Sequence, residues 1–314
     1  MSGKKVVSIA TTSRRAEIAI AVARAFYRSA VLSHDAEVRI GLGFRDSRLG
    51  GTAIPLSVAR GDWDFGFANP AGLARMATAG VGPYKKKLPL RAIGVFPSWD
   101  RLVFAVRKDS GISSLEEIAR QKIPLTVSTR AGTQQHATLY VIGRVLEAYG
   151  FSLADIEKWG GRVLRVESPS DPARREHLKS GVQAVFDEGI KTWGALALAA
   201  DMKFLAVREE VLKKMSRLGF GGATLGKDPF PAMDEDIATV DFSGWLFFCR
   251  ADLPAKIAYD MARAIDGCHD QIEADRLDKG KMTMEEFCRG GESGPLTIPL
   301  HPGAKKYYRE KGYL

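Results

Sequence analysis

The sequence predicts an α/β fold of two lobes, each a mostly parallel sheet flanked by helices, the lobes joined by two crossover strands. Three observations carry that expectation. Strand-like and helical segments alternate from the N-terminus onward, the pattern of parallel sheets covered by helices. At 314 residues the chain exceeds one ordinary core and suits two lobes of roughly 100–150 residues each. Two apolar strands, near Leu102–Val106 and Val240–Cys249, bracket a self-contained α/β block, the layout of one domain inserted into another. The expected division is an outer lobe of residues 1–103 and 241–314 and an inserted lobe of residues 104–240. Ligand would then sit in a cleft between the lobes, at the C-terminal ends of parallel strands.

Val6–Ala10 reads as the first buried strand, followed by a helical pattern from Glu17 to Leu32. Glu37–Leu42 alternates as a second strand, Leu56–Arg60 makes a short helix, and Trp63–Ala68 is a third strand ending at Asn69-Pro70. Behind the buried strand Leu102–Val106, Ser113 caps a helix, with Glu116 three residues on as a capping box. Leu125–Ser128 is a strand running into Thr129-Arg-Ala-Gly-Thr133 and a helix from about Gln134 to Tyr149. A strand near Val163–Val166, a helix near Pro172–Ser180, a strand at Val182–Phe186 and a helix at Trp193–Ala200 follow. Gly219–Ala223 and Asp228–Pro231 are read as irregular. Val240–Cys249 is an apolar, β-rich run, and Leu253–Cys268 a strong helix with Pro254 just inside its start. The chain closes on a short amphipathic helix, with Pro302 at its start, Gly312 at its stop, and Tyr307 and Tyr308 to bury.

Composition narrows the function classes. With 45% apolar and 26% charged residues the chain is globular rather than disordered. It has no run of about 18 uncharged apolar residues, so no helical span or stable membrane insertion is expected. The opening residues are basic, but their apolar run is short and soon meets Arg14 and Arg15, so no secretory signal is read there. The protein is therefore expected in the periplasm if a signal has been removed, and in the cytoplasm if this N-terminus is native. Three cysteines, Cys249, Cys268 and Cys288, lack metal-like spacing and read as single buried thiols. The five histidines are scattered and give no zinc pattern. No cofactor is expected. A formal charge of +9 fits acidic partners, but the basic residues are dispersed, no nucleic-acid module appears, and Lys85-Lys86-Lys87 reads as a solvated loop.

The sharpest local signal is Ser128-Thr-Arg-Ala-Gly-Thr-Gln134, a strand end and glycine-containing turn before a helix. Amides at a helix start attract an anion, and Ser128, Thr129, Gly132 and Thr133 around Arg130 would add donors and space. An ordinary N-cap turn explains the same pattern. Thr11-Thr-Ser-Arg14 is the counterpart in the outer lobe, so Thr11, Thr12, Ser13 and Arg14 join the candidates. Asn69 either meets ligand or opens the turn before Pro70. Trp99, ahead of the first crossover strand, either reaches the cleft or packs. Asp187 and Glu188 end a strand, as a general base, a helix-start cap or a contact to a cationic part of the ligand. Trp193 stacks on ligand or fills the core. No Gly-x-Ser-x-Gly elbow, phosphate loop or His-Glu-x-x-His occurs.

Several of these segments, in order and spacing, resemble the TAXI family of solute-binding proteins, which serve TRAP-type transporters. They are Gly50-Gly-Thr52 leading to Gly61-Asp-Trp-Asp-Phe-Gly-Phe67, Ser128–Thr133 with its following helix, Ser180-Gly-Val-Gln-Ala-Val-Phe186, Asp234–Thr239, and Arg250-Ala-Asp-Leu-Pro254. The closing segment from Ile298 through His301-Pro-Gly-Ala304 to Leu314 is the most specific. The resemblance implies a type II periplasmic-binding-protein fold and a small carboxylate or amino acid handed to a TRAP-type permease. Two departures stand out. Thr11–Arg15 replaces a glycine-rich, tyrosine-containing turn, and Thr129-Arg130 replaces a Pro/Gly-type turn; Asp187-Glu188 also differs from a mostly neutral strand end. The added basic groups suggest a more anionic solute.

Three readings follow. A monomeric transport receptor would close on a small anionic solute and present it to a permease. An enzyme on the same fold would use Asp187 and Glu188 as acid–base groups, with Arg14 and Arg130 as carboxylate anchors. A cytoplasmic sensor would bind the solute and be read by a partner protein. Fold alone does not choose among them. The lack of a recognisable catalytic constellation favours the receptor.

Overall fold

The computed structural model describes residues 6–12, 16–28, 37–42, 51–132, 136–272 and 282–314. Their chain forms two compact units. The first holds the described residues up to Trp99 and those from Ser243 to Leu314; the second holds Asp100–Phe242.

The first unit opens with strand β1 (Val6–Ala10), helix α1 (Ala16–Arg28) and strand β2 (Glu37–Gly41). Ile18, Ala19, Val22, Ala23 and Phe26 recur at helical spacing, which gives α1 one buried stripe. Helix α2 (Ala53–Arg60), strand β3 (Phe65–Ala68), helix α3 (Gly72–Ala79) and strand β4 (Leu90–Phe96) follow.

The chain then enters the second unit with β5 (Arg101–Arg107), α4 (Leu115–Gln121), β6 (Thr126–Arg130), α5 (Ala137–Ala148) and α6 (Leu153–Lys158). It continues through β7 (Arg162–Val166), α7 (Pro172–Lys179), β8 (Ala184–Asp187) and α8 (Ile190–Ala199). Strand β9 (Met202–Leu205), helix α9 (Glu209–Ser216), β10 (Gly222–Leu225) and β11 (Ile237–Asp241) complete it. The return to the first unit brings β12 (Trp245–Arg250), α10 (Ala255–Asp266), α11 (Met284–Arg289) and α12 (Pro302–Glu310).

The sheet of the first unit runs β2-β1-β3-β12-β4. Its β1, β2 and β3 are parallel, whereas β12 lies antiparallel to both β3 and β4. In the second unit the order is β10-β11-β5-β8-β6-β7, with β9 also on β5. Its parallel pairs are β6 with β7 and β6 with β8; β5 is antiparallel to β8, β9 and β11, and β10 to β11. Both sheets are thus mixed rather than mostly parallel. Strands β1–β3 and β6–β8, joined through intervening helices, stay parallel, while β5 and β12, each arriving from the other unit, are antiparallel to their neighbours.

Three further local expectations are corrected. Val240–Cys249 is not one strand: it breaks between β11 and β12 at Phe242-Ser243-Gly244. Gly244 has φ 89°, and a side chain there would sit 2.9 Å from the Gly294 Cα, so only glycine fits the break. The region read as irregular from Gly219 contains β10. The cap of α4 is Ser114, whose hydroxyl accepts from the Glu117 N–H, one residue later than the Ser113–Glu116 box. Helix α5 is described from Ala137, capped by His136; Gln134, near which its start was expected, lies outside the described residues.

The core of the first unit is aromatic, with Phe65, Phe67, Phe96 and Phe247 packed ring to ring and Phe287 against Phe96. In the second unit Leu102, Phe104, Val127, Phe186 and Trp193 are wholly buried. All three cysteines are free and buried, and burial pushes the Cys268 and Cys288 thiols up to about 11. That leaves them protonated and inert at neutral pH. Among the described residues, no helix is long and apolar enough to cross a membrane.

Candidate functional site

In the second unit, β6 and β8 are neighbours and parallel, in the register Val127↔Ala184 to Thr129↔Phe186. Their C-terminal ends therefore lie side by side, which brings Arg130 next to Asp187 and Glu188. The Arg130 Nη1 lies 2.5 Å from the Glu188 Oε1 and 3.8 Å from the Asp187 Oδ1. All three side chains are largely enclosed, at 9, 0 and 13% exposure for Arg130, Asp187 and Glu188.

Helix α7 adds a second cation. Asp171 caps it and Pro172 occupies its first turn, which sets the helix so that Arg174 and Leu178, four apart, point inward. The wholly buried Arg174 donates to the Ser128 carbonyl at 2.7 Å, to the Ser128 hydroxyl at 2.9 Å, and to the Asp187 Oδ2. Its guanidinium also stands 5.9 Å from the centroid of the Trp193 ring. Asp187 takes a further bond from the Glu188 N–H at 2.9 Å. Burial pushes the Asp187 carboxyl up to about 7, and the two guanidiniums oppose that shift. Every hydrogen bond recorded for Asp187 comes from a donor, so the carboxylate is the form the geometry fits.

A third carboxyl completes the cluster. Asp100, just ahead of β5, accepts from the Arg101 N–H at 2.8 Å and from the Gly189 N–H at 3.0 Å to each oxygen. Burial, and next the negative charge of Glu188 beside it, raise its pKa well above the usual carboxylate range. Burial acts to lower the Arg130 pKa, but Glu188 and Asp187 outweigh it and hold the guanidinium above its ordinary value. The result is a set of interlocked charges at one strand edge. It can orient and neutralise a charged group, and it offers no free nucleophile.

The sequence-predicted residues divide between the units. Ser128, Thr129, Arg130, Asp187, Glu188 and Trp193 come together in the second unit. Ser128 lies in a strand, as read from sequence, and that strand, β6, also takes in Thr129 from the expected turn; both are wholly buried. Thr129 donates to the Phe186 carbonyl at 2.6 Å, and the Ser128 hydroxyl meets His177 Nδ1 at 2.8 Å. Their hydroxyls are thus taken up by the protein. Gly132, with φ 111°, is exposed just past the strand. The Trp193 ring is wholly buried, and its Nε1–H donates to the Glu188 carbonyl at 2.8 Å.

Thr11, Thr12, Asn69 and Trp99 lie in the first unit. Thr11 is buried, with its N–H on the Gly41 carbonyl at 2.9 Å; the Thr12 hydroxyl is enclosed without a partner. The Asn69 amide donates to the Gly244 carbonyl at 3.1 Å, and Trp99 is 8% exposed. Ser13, Arg14 and Thr133 lie outside the described residues. Sequence reading missed Arg174 and Asp100. Arg174 was marked only by its spacing to Leu178 on a short helix, and Asp100 only by standing beside Trp99 and Arg101.

The model of the NMT1-like family matches residues 46–312. No curated protein matches the chain. Among solved structures, XAC2383 from Xanthomonas citri, bound to ATP, is similar with a TM-score of 0.50 and 13% identity, over 98% of this chain and 95% of that one. The periplasmic binding protein BugD gives 0.47 and 13%, over 99% and 94%. MatC from Rhodopseudomonas palustris, with bound malate, gives 0.44 and 12%, over 86% of each chain. At 13% identity the likeness to XAC2383 shows the fold alone, a mixed α/β architecture of two sheets.

Proposed function

The chain belongs to the NMT1-like family, and from that premise we propose that it is a solute receptor that binds a small organic anion, carboxylate or amino-acid-like, and releases it unchanged. The carrying observation is Arg130, an enclosed arginine at the joined ends of the parallel strands β6 and β8. A guanidinium in such a place matches a carboxylate in shape and charge. Binding without turnover is supported by the other ionisable groups. Asp187 is wholly buried and held by Arg174, which leaves it no face for a substrate.

The finer reading is that the receptor works in the periplasm and hands its solute to a TRAP-type permease. It rests on the TAXI-like segments, above all the terminal Ile298–Leu314. Fractionation of cells expressing the gene would test the compartment, and solute uptake by cells lacking the gene would test the delivery.

Binding itself is tested by titration calorimetry with a panel of mono- and dicarboxylates and acidic amino acids. Arg130→Gln should weaken the tightest binder by about 1.5–3 kcal/mol, the usual value of a hydrogen bond to a charged group. Circular dichroism confirms that the variant is folded. Wild-type affinity in the folded variant would remove Arg130 from the site.

A further inference from the structure

We propose that Glu188 is a built-in competitor for the solute: its carboxylate occupies the Arg130 guanidinium until an anion takes its place, and so sets how well an anion must fit to be accepted. The inference rests on the anion-binding reading above and deepens it.

Arg130 faces two carboxylates, and they are not alike. Asp187 has no exposure, sits 3.8 Å away, and is gripped by Arg174. It is part of the scaffold. Glu188 sits at 2.5 Å with 13% exposure, at the end of β8 and ahead of Gly189. Its backbone is fixed on both sides, since its N–H donates to Asp187 and its carbonyl accepts from the Trp193 ring. The Gly189 N–H is held in turn by Asp100. The Glu188 side chain can therefore leave Arg130 by rotating about its own bonds, with no movement of the chain.

The donors of Arg130 show why an anion would win the exchange. Its bond to Glu188 uses Nη1, while its Nε, also buried, has no hydrogen-bond partner. A buried donor left unmet is costly. A solute carboxylate at the Nε edge would meet Nε and the terminal nitrogen beside it, Nη2, together, a forked contact stronger than the single one Glu188 makes at Nη1. Two carboxylates on one guanidinium repel each other, so Glu188 gives way. Asp187, Arg174 and Lys191 stay as they are, while Asp100, which burial and Glu188 push toward its protonated form, gives up its side-chain hydrogen bond to Glu188. The exchange leaves Arg130 with one carboxylate, and the released Glu188 carboxylate turns to solvent on its exposed side. A solute without a carboxylate of the right reach gains nothing over Glu188 and is refused.

The test is calorimetry of the full chain with succinate, L-glutamate and inorganic phosphate as probes. Glu188→Gln removes the competing charge with little change of shape, and it should bind succinate about tenfold tighter than wild type, or more, one lost charged contact being worth at least that factor. Arg130→Lys should weaken succinate in both backgrounds. Glu188→Asp, which keeps the charge but shortens the reach, should fall between wild type and Glu188→Gln, and it serves if the glutamine variant does not fold. If Arg130→Lys weakens binding while neither Glu188 variant tightens it, the anchor stands and the competitor is overturned. If Glu188→Gln loses L-glutamate and gains nothing for succinate, Glu188 contacts the solute's ammonium and the proposal fails. If no folded variant and no wild type binds any probe, the anion reading fails and takes the proposal with it.

Discussion

A guanidinium with 1% exposure, such as that of Arg174, persists only where its charge and its N–H groups are matched. Asp187 and both oxygens of Ser128 supply that match at the terminal nitrogens, while Nε has no hydrogen-bond partner; burial acts to lower the Arg174 pKa and Asp187 opposes it. Arginine nevertheless stays charged at any physiological pH. Breaking such a pair on one side leaves an uncompensated buried charge, which costs about 3–5 kcal/mol. Arg174→Met should therefore lower the stability of the protein by about that amount in urea denaturation followed by tryptophan fluorescence. A loss below about 1 kcal/mol would mean that Asp187 takes a proton once its partner is gone, in keeping with the upward pull of burial on that carboxyl. Nothing about this pair was visible in the sequence. Arg174 looks like one more basic residue in Ala173-Arg-Arg-Glu-His-Leu-Lys179, and its partner lies thirteen residues on, at the end of a strand.

Among the elements, α12 shows how a terminal helix is fixed. Pro302 occupies its first turn, and the His301 Nδ1 accepts from the Gly303 N–H at 3.2 Å. Gly303 lets α12 press against α10: a side chain there would stand 2.0 Å from the Ala255 carbonyl oxygen. Tyr308 is wholly buried, with its hydroxyl on the Ile93 carbonyl at 2.8 Å. The cap works only while Nδ1 carries no proton. Burial, and then the charge of Arg91, lower the His301 pKa below its ordinary 6.5. The unfolded chain therefore takes up the proton first, and the folded state loses stability as pH falls below about 6.5. Asp187 and Asp100, with raised pKa values, act the other way over the same range, so the His301 contribution is read as a difference. In thermal melts from pH 7.5 to 5.0, His301→Asn, which keeps a capping acceptor, should lose less Tm on acidification than wild type. An identical slope in the variant would assign the pH effect to other groups. This helix was legible from sequence, because a proline start, a glycine stop and paired tyrosines are all local signals. Its histidine cap and its glycine contact were not.

For the molecule as a whole, connectivity predicts how the parts fold. The described residues of the second unit are one continuous stretch, Asp100–Phe242, with both its sheet and its buried charge cluster contained in it. The first unit is discontinuous, and its β12 is the strand between β3 and β4. Residues 100–242 expressed alone should give a dispersed amide spectrum and a cooperative melt. Residues 1–99 alone should not, because without β12 the strand β4 loses its place in the sheet and Phe247 leaves the ring cluster of Phe65 and Phe67. A cooperative fold in the 1–99 fragment would show that β3 and β4 can do without β12.

What the sequence determined by itself is the set of elements and the α/β class. Periodicity records which face of a segment is buried, and α1, α10, α12, β1 and β5 carry that record within a few residues of their own. The tertiary structure alone decided three things. It decided strand order, including the insertion of β12 and the reversal of β5. It decided that Val240–Cys249 breaks at Gly244, where close packing against Gly294 admits only glycine. And it decided which charges meet: Arg130 was legible as a candidate, but its partner Glu188 is 58 residues away. Local patterns fix burial because burial is a property of one segment. Pairing is a property of two, and the chain between them leaves no mark of it.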